Sequence, residues 1–441
     1  MWDWFEGDAN NAYAYSGSVL RFGLARKSGR LDWKLEFEAP ILLGLPDDAK
    51  ARAPQGDLGL GATYFGANHN SRSAGMVFPK QAYVEFHPEG ARGHHFRAGR
   101  FEFADGMERK SANATITALK ATRIQQRLIG PFGFTHVGRA FDGLHYTWES
   151  AAGALTFVGA LPTRGVFQVD GWGWTNTGIG YLAFGKGVGG GASEGDLRLF
   201  GIYYQDWRPI AKTDNRPGPA RSADLANIRI GTFGGHYVHT FQTGAGAFDA
   251  LFWGVGQTGR WGVQDHSGWA AALEGGWQPK VLPSFKPWLR GGWFGSSGDS
   301  DPNDDRHETF FGLLPTPRIY ARTPFYDLTN VEDRFAELVL RPHSRLLVRS
   351  DVHWLRLYNG RDLWYLGGGA FNPRVFGYVG RPGGGGRGLA TLYDVSADVK
   401  LAARVTLSGY FGHANGKSVM RGIYPDGKNL NFGYVEVSYR H

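Results

Sequence analysis

The stretch ATLYDVSADVKLAARVTLSGYF, residues 390–411, shows the pattern that decides the fold. Apolar side chains alternate with polar ones in its first half: Tyr393, Val395, Ala397, Val399 and Leu401 against Asp394, Ser396, Asp398 and Lys400. After Ala402 and Ala403 the alternation begins again and continues to Phe411. Because successive side chains of a strand point to opposite faces, this pattern predicts a β-hairpin with a very short turn. The hairpin fits a soluble sandwich, whose apolar face meets a second sheet, or a transmembrane barrel, whose apolar face meets lipid.

The composition of the whole chain favours the barrel. The 441 residues include 67 Gly and 15% aromatic residues but only 42% hydrophobic residues, and the mean hydropathy is -0.33. No Pro/Ser-rich or charged spacer divides the chain, so we expect a single domain over residues 1–441. The longest apolar runs, such as Ala39 to Leu45, are far shorter than the roughly 20 residues of a transmembrane helix, which excludes a helical membrane protein.

Cysteine content and net charge exclude several kinds of site and partner. The chain contains no Cys, which removes disulfides, thiolate metal sites and Cys nucleophiles. The net charge of +8 fits contact with polyanions such as acidic polysaccharide or lipopolysaccharide, whereas the scattered Lys and Arg residues argue against nucleic acid. No signal peptide precedes Trp2, so we expect a mature or trimmed chain whose first strand, Trp2 to Phe5, is truncated at the N-terminus.

The connections between strand-like segments alternate in length. Long connections fall near residues 44–77, 105–140, 163–176, 208–226, 297–331, 359–389 and 416–429, and short ones near 151–153, 187–195, 243–245, 281–284, 343 and 402. Short periplasmic turns and long extracellular loops are typical of antiparallel up-and-down barrels of the outer membrane. Counting hairpins predicts about 18 strands, an even number as such barrels require.

The faces of individual strands and the chain end agree with this architecture. Four charged residues, Asp32, Lys34, Glu36 and Glu38, share one face of a strand, which suits a water-filled interior better than a packed core. The last strand, which alternates up to Tyr439 and Arg440, resembles the C-terminal assembly signal of outer-membrane barrels. In this chain His441 stands where that signal usually has Phe.

Three regions of the chain resemble the alginate export family of outer-membrane barrels. They are AGRFEFADG (98–106) with QRLIGPFGFTHVGRAFDG (126–143), SSGDSDPNDDRHETFFGLLPTPRIYA (296–321), and DLWYLGGG (362–369) with the closing strands. The resemblance implies an 18-stranded monomeric barrel that conducts a polymer through a pore constricted by inward arginines and folded loops. The loops 105–140, 297–331 and 359–389 are accordingly expected to fold over or into the lumen.

Alternation and this resemblance together predict the pore-lining residues. Alternation places Arg100 and Glu102 on the lumen side, opposite Phe101 and Phe103. The other predicted pore-lining residues are Arg198, Arg349, Asp351 and His353 on strands, and Arg127 and Arg139, which flank the GPFG segment of the folded loop. A lumen guanidinium suits carboxylate or phosphate partners, and Arg100, Arg127 and Arg349 are expected to favour anions most. The alternative for each arginine is a pair with an acidic wall residue that merely neutralises it.

One acidic segment resembles a Ca²⁺ loop in composition. Its oxygen ligands would be Asp299, Asp301, Asn303 and Asp305, yet Asp304 and Phe310 stand where an EF-hand has Gly and Glu. A solvated loop is therefore the main interpretation and Ca²⁺ binding the alternative, and we assign no other metal or cofactor. The two Gly-rich stretches, GVGGGASEG (187–195) and RPGGGGRG (381–388), lack both the strand–loop–helix setting and the Lys-Ser/Thr ending of a phosphate loop. We interpret them as flexible connections and predict no enzyme.

The sequence thus predicts a channel or porin of the bacterial outer membrane. Its solute would be polar and anionic, or a polysaccharide such as an alginate-like polymer. The alternative is a structural outer-membrane barrel that anchors or sheathes periplasmic or extracellular partner proteins, with its lumen closed by loops. An outer-membrane hydrolase is a third, less favoured hypothesis.

Overall fold

The computed structural model describes residues 1–5, 10–53, 55–90, 93–316 and 318–440, so that His441 lies outside the described residues. Strands dominate this part of the chain. They are β1 Trp2–Asp3, β2 Ala12–Tyr13, β3 Ser16–Arg26, β4 Leu31–Leu43, β5 Ser73–Gly75, β6 Phe78–Phe86, β7 Gly93–Phe101, β8 Phe141–Ser150, β9 Gly153–Pro162, β10 Thr177–Gly190, β11 Ser193–Asp206, β12 Ile228–Thr243, β13 Gly246–Trp261, β14 Gln264–Pro279, β15 Trp288–Ser296, β16 Arg306–His307, β17 Val331–His343, β18 Leu346–Leu357, β19 Leu363–Gly367, β20 Tyr378–Pro382, β21 Gly388–Ala402, β22 Val405–Gly416 and β23 Asn429–Tyr439.

Helices are few and short. They are α1 Leu60–Ala67, α2 Ala114–Leu119, α3 Gly218–Ala223, α4 Ser418–Ile423 and a π-helix, Lys120–Ile124, that continues α2. Among the described residues no helix combines the length and the apolar character needed to cross a membrane.

The long strands follow one another in an antiparallel, up-and-down order. Within the described residues, 17 strands of nine or more residues each pair with their neighbour along the chain, from β3 to β23. The predicted hairpin over residues 390–411 is confirmed: β21 and β22 pair from Ala390 to Ala402, with a bulge between Lys400 and Ala402. The all-β antiparallel architecture is thereby confirmed, whereas a total of 18 strands stays a prediction.

The two ends of the sheet approach each other through β1. Trp2 pairs with Phe432 of β23 on one side and with Tyr13 of β2 on the other. The Trp2 and Phe432 rings also pack with centroids 4.3 Å apart. In the described part of the chain no backbone pairing joins β3 directly to β23, so the sheet is not closed along its full length.

Connection length alternates between the two ends of the sheet, as predicted, with one exception. β10–β11, β12–β13, β17–β18 and β21–β22 are joined at one end by two residues each, whereas loops such as 102–140 and 297–330 leave the other end. The connection from β13 to β14 lies at the long-loop end but contains only Gly262 and Val263. This turn uses the positive φ of Gly262, 64°, which a residue without Cβ adopts without strain.

The two faces of the sheet differ sharply in exposure. Apolar side chains on the outer face are open, as Phe233 (64% exposed), Leu273 (62%) and Val435 (79%) show. The inner face is largely covered, because the loops 102–140 and 297–330 pack against it. Inner-face residues such as Trp253 and Phe335 form one apolar cluster with Ile124, Leu314 and Tyr320 of these loops, and with their neighbours.

Candidate functional site

A cavity of about 720 Å³ opens among the long loops. Its walls come from five of them: 44–77, 102–140, 163–176, 297–330 and 358–387. The charged side chains that line it are Lys50, Arg164, Arg318 and Arg374 on the cationic side and Asp57 and Asp170 on the acidic side. The cavity therefore carries an excess of positive charge, with His69 counted as neutral.

Aromatic rings form the apolar part of this cavity. Phe132, Phe134, Phe167, Phe371 and Tyr378 line it. Phe167 packs edge-on against both Phe371 and Phe132, with ring centroids 5.2 and 5.7 Å apart. Flat apolar faces next to guanidinium groups suit a ligand that combines a ring with an anionic group.

A row of charged side chains occupies the inner face of β3, β4 and β6. Arg21 donates two hydrogen bonds to Glu102, at 3.1 and 3.0 Å, and its Nε lies 2.6 Å from Glu38 Oε2. Lys80 approaches from the other side, with its Nζ 3.4 Å from Glu38 Oε1. The side chains of Arg21 and Glu102 are 39% and 26% exposed, whereas those of Glu38 and Lys80 are 1% exposed. Water therefore reaches one edge of this group only.

The charged row continues toward the short-turn end of the sheet. Lys34 Nζ lies 2.8 Å from Glu36 Oε2. On β6 and β7, Arg97 donates through Nε to Glu85 at 2.6 Å, and His95 Nδ1 lies 3.0 Å from the other oxygen of the same carboxylate. All five side chains are 14–29% exposed, although β6 and β7 lie away from the open seam. We call the charged side chains of this row the polar wall: Arg21, Lys34, Glu36, Glu38, Lys80, Glu85, His95, Arg97 and Glu102.

Arg100 does not belong to the polar wall. It is in register with Ala82 and Asp142, and these share a face with Val84 and Leu144, which are 52% and 60% exposed. Arg100 instead makes a two-point hydrogen bond to Asp142 on the outer face, at 2.6 and 2.7 Å. The predicted lumen-facing position of Arg100 is therefore wrong.

The same shift moves two phenylalanines to the inner face. Phe101 and Phe103, expected to point outward, are 0% and 6% exposed and pack against the ring of His145, and Phe103 also contacts Tyr181. The physical reason is that the apolar positions change parity along β7, because the end of the strand is covered by the inserted loop rather than by lipid. Glu102, which follows the strand, reaches the polar wall as predicted.

The structure brings Arg127 to the inner face, where the loop 102–140 meets the strands. Its Nη2 donates to the Tyr320 hydroxyl at 2.8 Å and lies 3.4 Å from Glu274 Oε1. Arg123, in the π-helix, donates to Glu337 Oε2 at 2.5 Å. Both guanidinium groups are buried, so each is neutralised by a strand carboxylate.

Arg349, Asp351 and His353 lie together on the inner face of β18, as alternation predicts. Arg349 Nε lies 2.7 Å from Asp351 Oδ2 and 2.8 Å from Glu337 Oε1. His353 is fully buried, with its Nδ1 2.9 Å from Asp333 Oδ2. Through Glu337 this group is joined to Arg123, and so to the loop that carries Arg127.

Arg198 anchors the start of the same loop. Its Nη2 lies 3.1 Å from Glu108 Oε1 and 3.5 Å from Asp105 Oδ2, and it also contacts the Tyr181 hydroxyl. Its guanidinium stacks 4.2 Å from the centre of the Phe200 ring. Burial raises the pKa of the Asp105 carboxyl to about 6, against the opposing effect of Arg198.

Arg139 holds three loops together. Its Nη1 donates to the carbonyls of Gly130 and Leu314, at 3.1 and 2.8 Å, and its Nη2 donates to the carbonyl of Gly368 at 2.5 Å. These acceptors belong to the loops 102–140, 297–330 and 358–387. The side chain is 0% exposed, and burial lowers the pKa of the guanidinium to about 10. Whether Arg127, Arg139, Arg198 and the β18 group line a conducting pore stays a prediction.

The acidic segment after β15 uses its carboxylates on its own backbone. Asp299 accepts from the N–H of Asp301, and Asp301 accepts from the N–H of Asn303, both at 3.0 Å. Asp301, Asn303 and Asp305 are exposed, whereas Asp299 is buried beside Asp362. Burial raises the pKa of Asp299 to about 7. Ca²⁺ binding by this segment stays a prediction.

Several residues of these groups were not predicted from the sequence. They are Arg21 and Lys80 of the polar wall, and Arg123, Glu274, Arg290 and Glu337 of the inner network. A signal was present for Arg21, which alternates with Leu20 and Phe22, and for Glu337, which lies between Ala336 and Leu338. Arg123 carried no such signal, because it lies outside the strands and the alternation of apolar and polar residues cannot assign it to a face of the sheet.

Comparison with known proteins agrees with the fold and the loops described above. Residues 197–414 match the model of the family described as Alginate export. In this region, just under half of its length, the chain is similar to the alginate export family. No curated protein matches it.

Several solved structures share the fold of this chain. The outer membrane protein opdK from Pseudomonas aeruginosa is 10% identical, with a TM-score of 0.57, over 99% of this chain and 96% of that chain. Acinetobacter baumannii OccAB4 is 9% identical, with a TM-score of 0.56, over 99% and 94% of the two chains. Pseudomonas aeruginosa OccK9 (OpdG) is 10% identical, with a TM-score of 0.56, over 99% and 94%.

The family and the fold together place the chain in the bacterial outer membrane, as a β-barrel of the channel type. Its apolar outer face is then the lipid-facing one, and the polar wall and the loop network lie inside. The description of the matching family model names export, which is a transport function.

Proposed function

We propose that this outer-membrane channel passes a polar, anionic solute, with an acidic polysaccharide such as an alginate-like polymer as the leading substrate class. The observation that carries the proposal is the loop cavity, where four cationic side chains outnumber two acidic ones. Such an excess raises the local concentration of anions at the entrance. Guanidinium groups bind carboxylates with matched geometry, and the phenylalanines beside them offer flat faces to sugar rings.

The polar wall supplies the route inward from that cavity. Apart from Glu38 and Lys80, its side chains keep partial contact with water, whereas the opposite inner face is covered by the inserted loops. The wall carries both signs of charge, with Arg21, Lys34, Lys80 and Arg97 against Glu36, Glu38, Glu85 and Glu102. It therefore favours polar solutes over apolar ones, and the sign preference comes from the cavity.

The proposal includes a closed, monomeric barrel in the membrane. The pairing of β1 with β23 on one side and with β2 on the other supports closure, because β2 ends only two residues before β3, the other edge of the sheet. In this arrangement β1 supplies the eighteenth strand position. The loops that form the cavity face the outside, since β23 leads to the C-terminus at the short-turn end.

Planar bilayer recordings test the channel. The purified chain should give discrete conductance steps, with a reversal potential in a KCl gradient that indicates anion preference. Oligomers of a uronic acid should block the current at concentrations at which neutral oligosaccharides of equal length do not. Cation preference, or equal block by charged and neutral oligomers, would contradict the proposed solute class.

The structural barrel remains the second candidate function because of one observation. The loops 102–140 and 297–330 share a single apolar cluster with the inner face of the strands, which is how a plugged lumen is packed. A correctly folded sample that stays electrically silent would favour a barrel that anchors or sheathes partner proteins.

A further inference from the structure

Three potential metal ligands lie together inside the sheet. Asp351 and His353 share the inner face of β18, and Asp394 of β21 is directly opposite Asp351 in register. One nitrogen or oxygen atom from each of the three lies within 4.8 Å of the other two. Their residues are 4%, 0% and 7% exposed.

Two atoms of this group are buried without a hydrogen-bond partner. They are Nε2 of His353 and Oδ1 of Asp351. Orphaned buried polar atoms are costly, because each loses its contact with water without replacement. A ligand that accepts electron pairs from both atoms would remove that cost.

Each of the three potential ligands is held in place by a hydrogen bond to a neighbouring side chain outside the group. His353 Nδ1 lies 2.9 Å from Asp333 Oδ2, so Nδ1 carries a proton, and in the neutral imidazole Nε2 has the lone pair that a metal ion would take. Asp351 accepts from Arg349 Nε at 2.7 Å, and Asp394 accepts from the Tyr410 hydroxyl at 3.0 Å. A carboxylate behind the imidazole is the usual second contact of a metal-binding His.

The local excess of negative charge also favours binding of a cation. The carboxylates of Asp333, Asp351 and Asp394 surround this point, and the guanidinium of Arg349 is shared between Asp351 and Glu337. Two carboxylates that face each other in a buried place repel unless a proton or a cation lies between them. A divalent ion would neutralise the pair.

We propose that Asp351, His353 and Asp394 bind a divalent transition metal ion of the Zn²⁺ class, which joins β18 to β21 inside the barrel. One imidazole nitrogen with carboxylate oxygens suits Zn²⁺ better than Ca²⁺ or Mg²⁺, which prefer oxygen alone. Bond lengths of roughly 2.0–2.2 Å require the three side chains to move together by about an ångström. This site is independent of the solute that the channel passes.

The test uses the full chain, purified in detergent and stripped of metal with EDTA. Titration with Zn²⁺, followed by calorimetry, should show one tight site per chain, and Co²⁺ should give a visible absorption band when it occupies the same site. His353→Gln should abolish the tight site. Asp333→Asn, which alters only the contact behind the imidazole, should weaken it about 10- to 100-fold.

His236→Gln is the matched control. His236 is also buried on the inner face, with its Nε2 3.2 Å from Asp196, but it lies outside the three-ligand group. This variant should bind Zn²⁺ as the wild type does. Absence of a tight site in the wild type, or a site of equal affinity in His353→Gln, would overturn the proposal. The wild-type titration tests the proposed Zn²⁺ site even if one of the variants does not fold.

Discussion

Among single residues, Arg139 has the most distributed contacts, because its buried guanidinium bonds to carbonyls of three different loops. In Arg139→Met these three acceptors lose their donor, which should cost on the order of 3 kcal/mol. We expect a lower urea midpoint for unfolding in detergent micelles, with an unchanged β-sheet circular dichroism spectrum.

Arg361→Met is the control for this change, since Arg361 is exposed in one of the same loops. Its midpoint should match that of the wild type. An unchanged midpoint in Arg139→Met would show that the three loops hold their positions without the guanidinium.

Asp299 gives a second prediction at the residue scale, concerning pH. Its folded-state pKa of about 7 lies above the value near 3.9 of an unfolded Asp. Between these values the folded segment binds a proton that the unfolded segment releases, so the local stability falls as pH rises from about 4 to 7 and then levels off. Hydrogen–deuterium exchange of residues 297–309, corrected for intrinsic rates, should accelerate over this window in the wild type.

Asp299→Asn should remove most of that pH dependence, whereas Asp304→Asn should keep it, because Asp304 is exposed. Identical profiles for the wild type and Asp299→Asn would mean that another group controls the segment.

At the scale of elements, the loops combine exposed tips with buried bases. Arg306, Arg361 and Arg374 are exposed, whereas Arg127 and Arg139 in the same group of loops are buried. Trypsin added to whole cells should therefore cut after the three exposed arginines and spare the two buried ones.

Arg404 is the matched control for this experiment, because it is exposed in the short β21–β22 turn at the opposite end. It should be cut only after the outer membrane is disrupted. Cleavage at Arg404 in intact cells, with the three loop arginines protected, would invert the topology.

The elements themselves could be predicted because a strand with one face in lipid must alternate in sequence. Leu197 and Leu199 flank Arg198 in this way, and the structure puts the leucines outside and the arginine inside. The same rule failed at Arg100 and Phe101, because an inserted loop covers the inner face at the end of β7. An apolar side chain is therefore buried there when it points inward rather than outward. The path of the loops was beyond the rule altogether, since contacts such as Arg123 with Glu337 join residues far apart in sequence.

At the scale of the whole molecule, closure of the sheet is the property that sets its resistance to detergent. A closed barrel has no free edge, so every strand backbone is paired and SDS does not unfold it without heat. We expect the chain to require detergent for extraction and to migrate faster on SDS gels unheated than boiled. Equal migration of the two samples would indicate that β3 and β23 stay unpaired.

Charge selectivity is likewise a property of the whole channel, and under the proposed function it arises at the mouth rather than at the arginines of the strands. Arg164 and Arg374 line the loop cavity and keep contact with water, and Arg164 also lies 3.1 Å from Asp170 Oδ2. Arg127 and Arg349 are largely covered and are paired with carboxylates of the inner network. Fixed charges act over a Debye length of about 8 Å at physiological salt, so two cations at a narrow mouth can outweigh a balanced wall.

The double variant Arg164→Ser/Arg374→Ser should therefore lower the anion-to-cation permeability ratio by about twofold or more, as read from the reversal potential in a KCl gradient. Arg100→Ser is the control, because the Arg100 charge is paired with Asp142 on the outer face and its side chain does not line the loop cavity. The opposite result, a shifted reversal potential in Arg100→Ser and an unchanged one in the double variant, would contradict the prediction. The selectivity would then not arise in the loop cavity, and the positive charge there would have no role in the passage of anions.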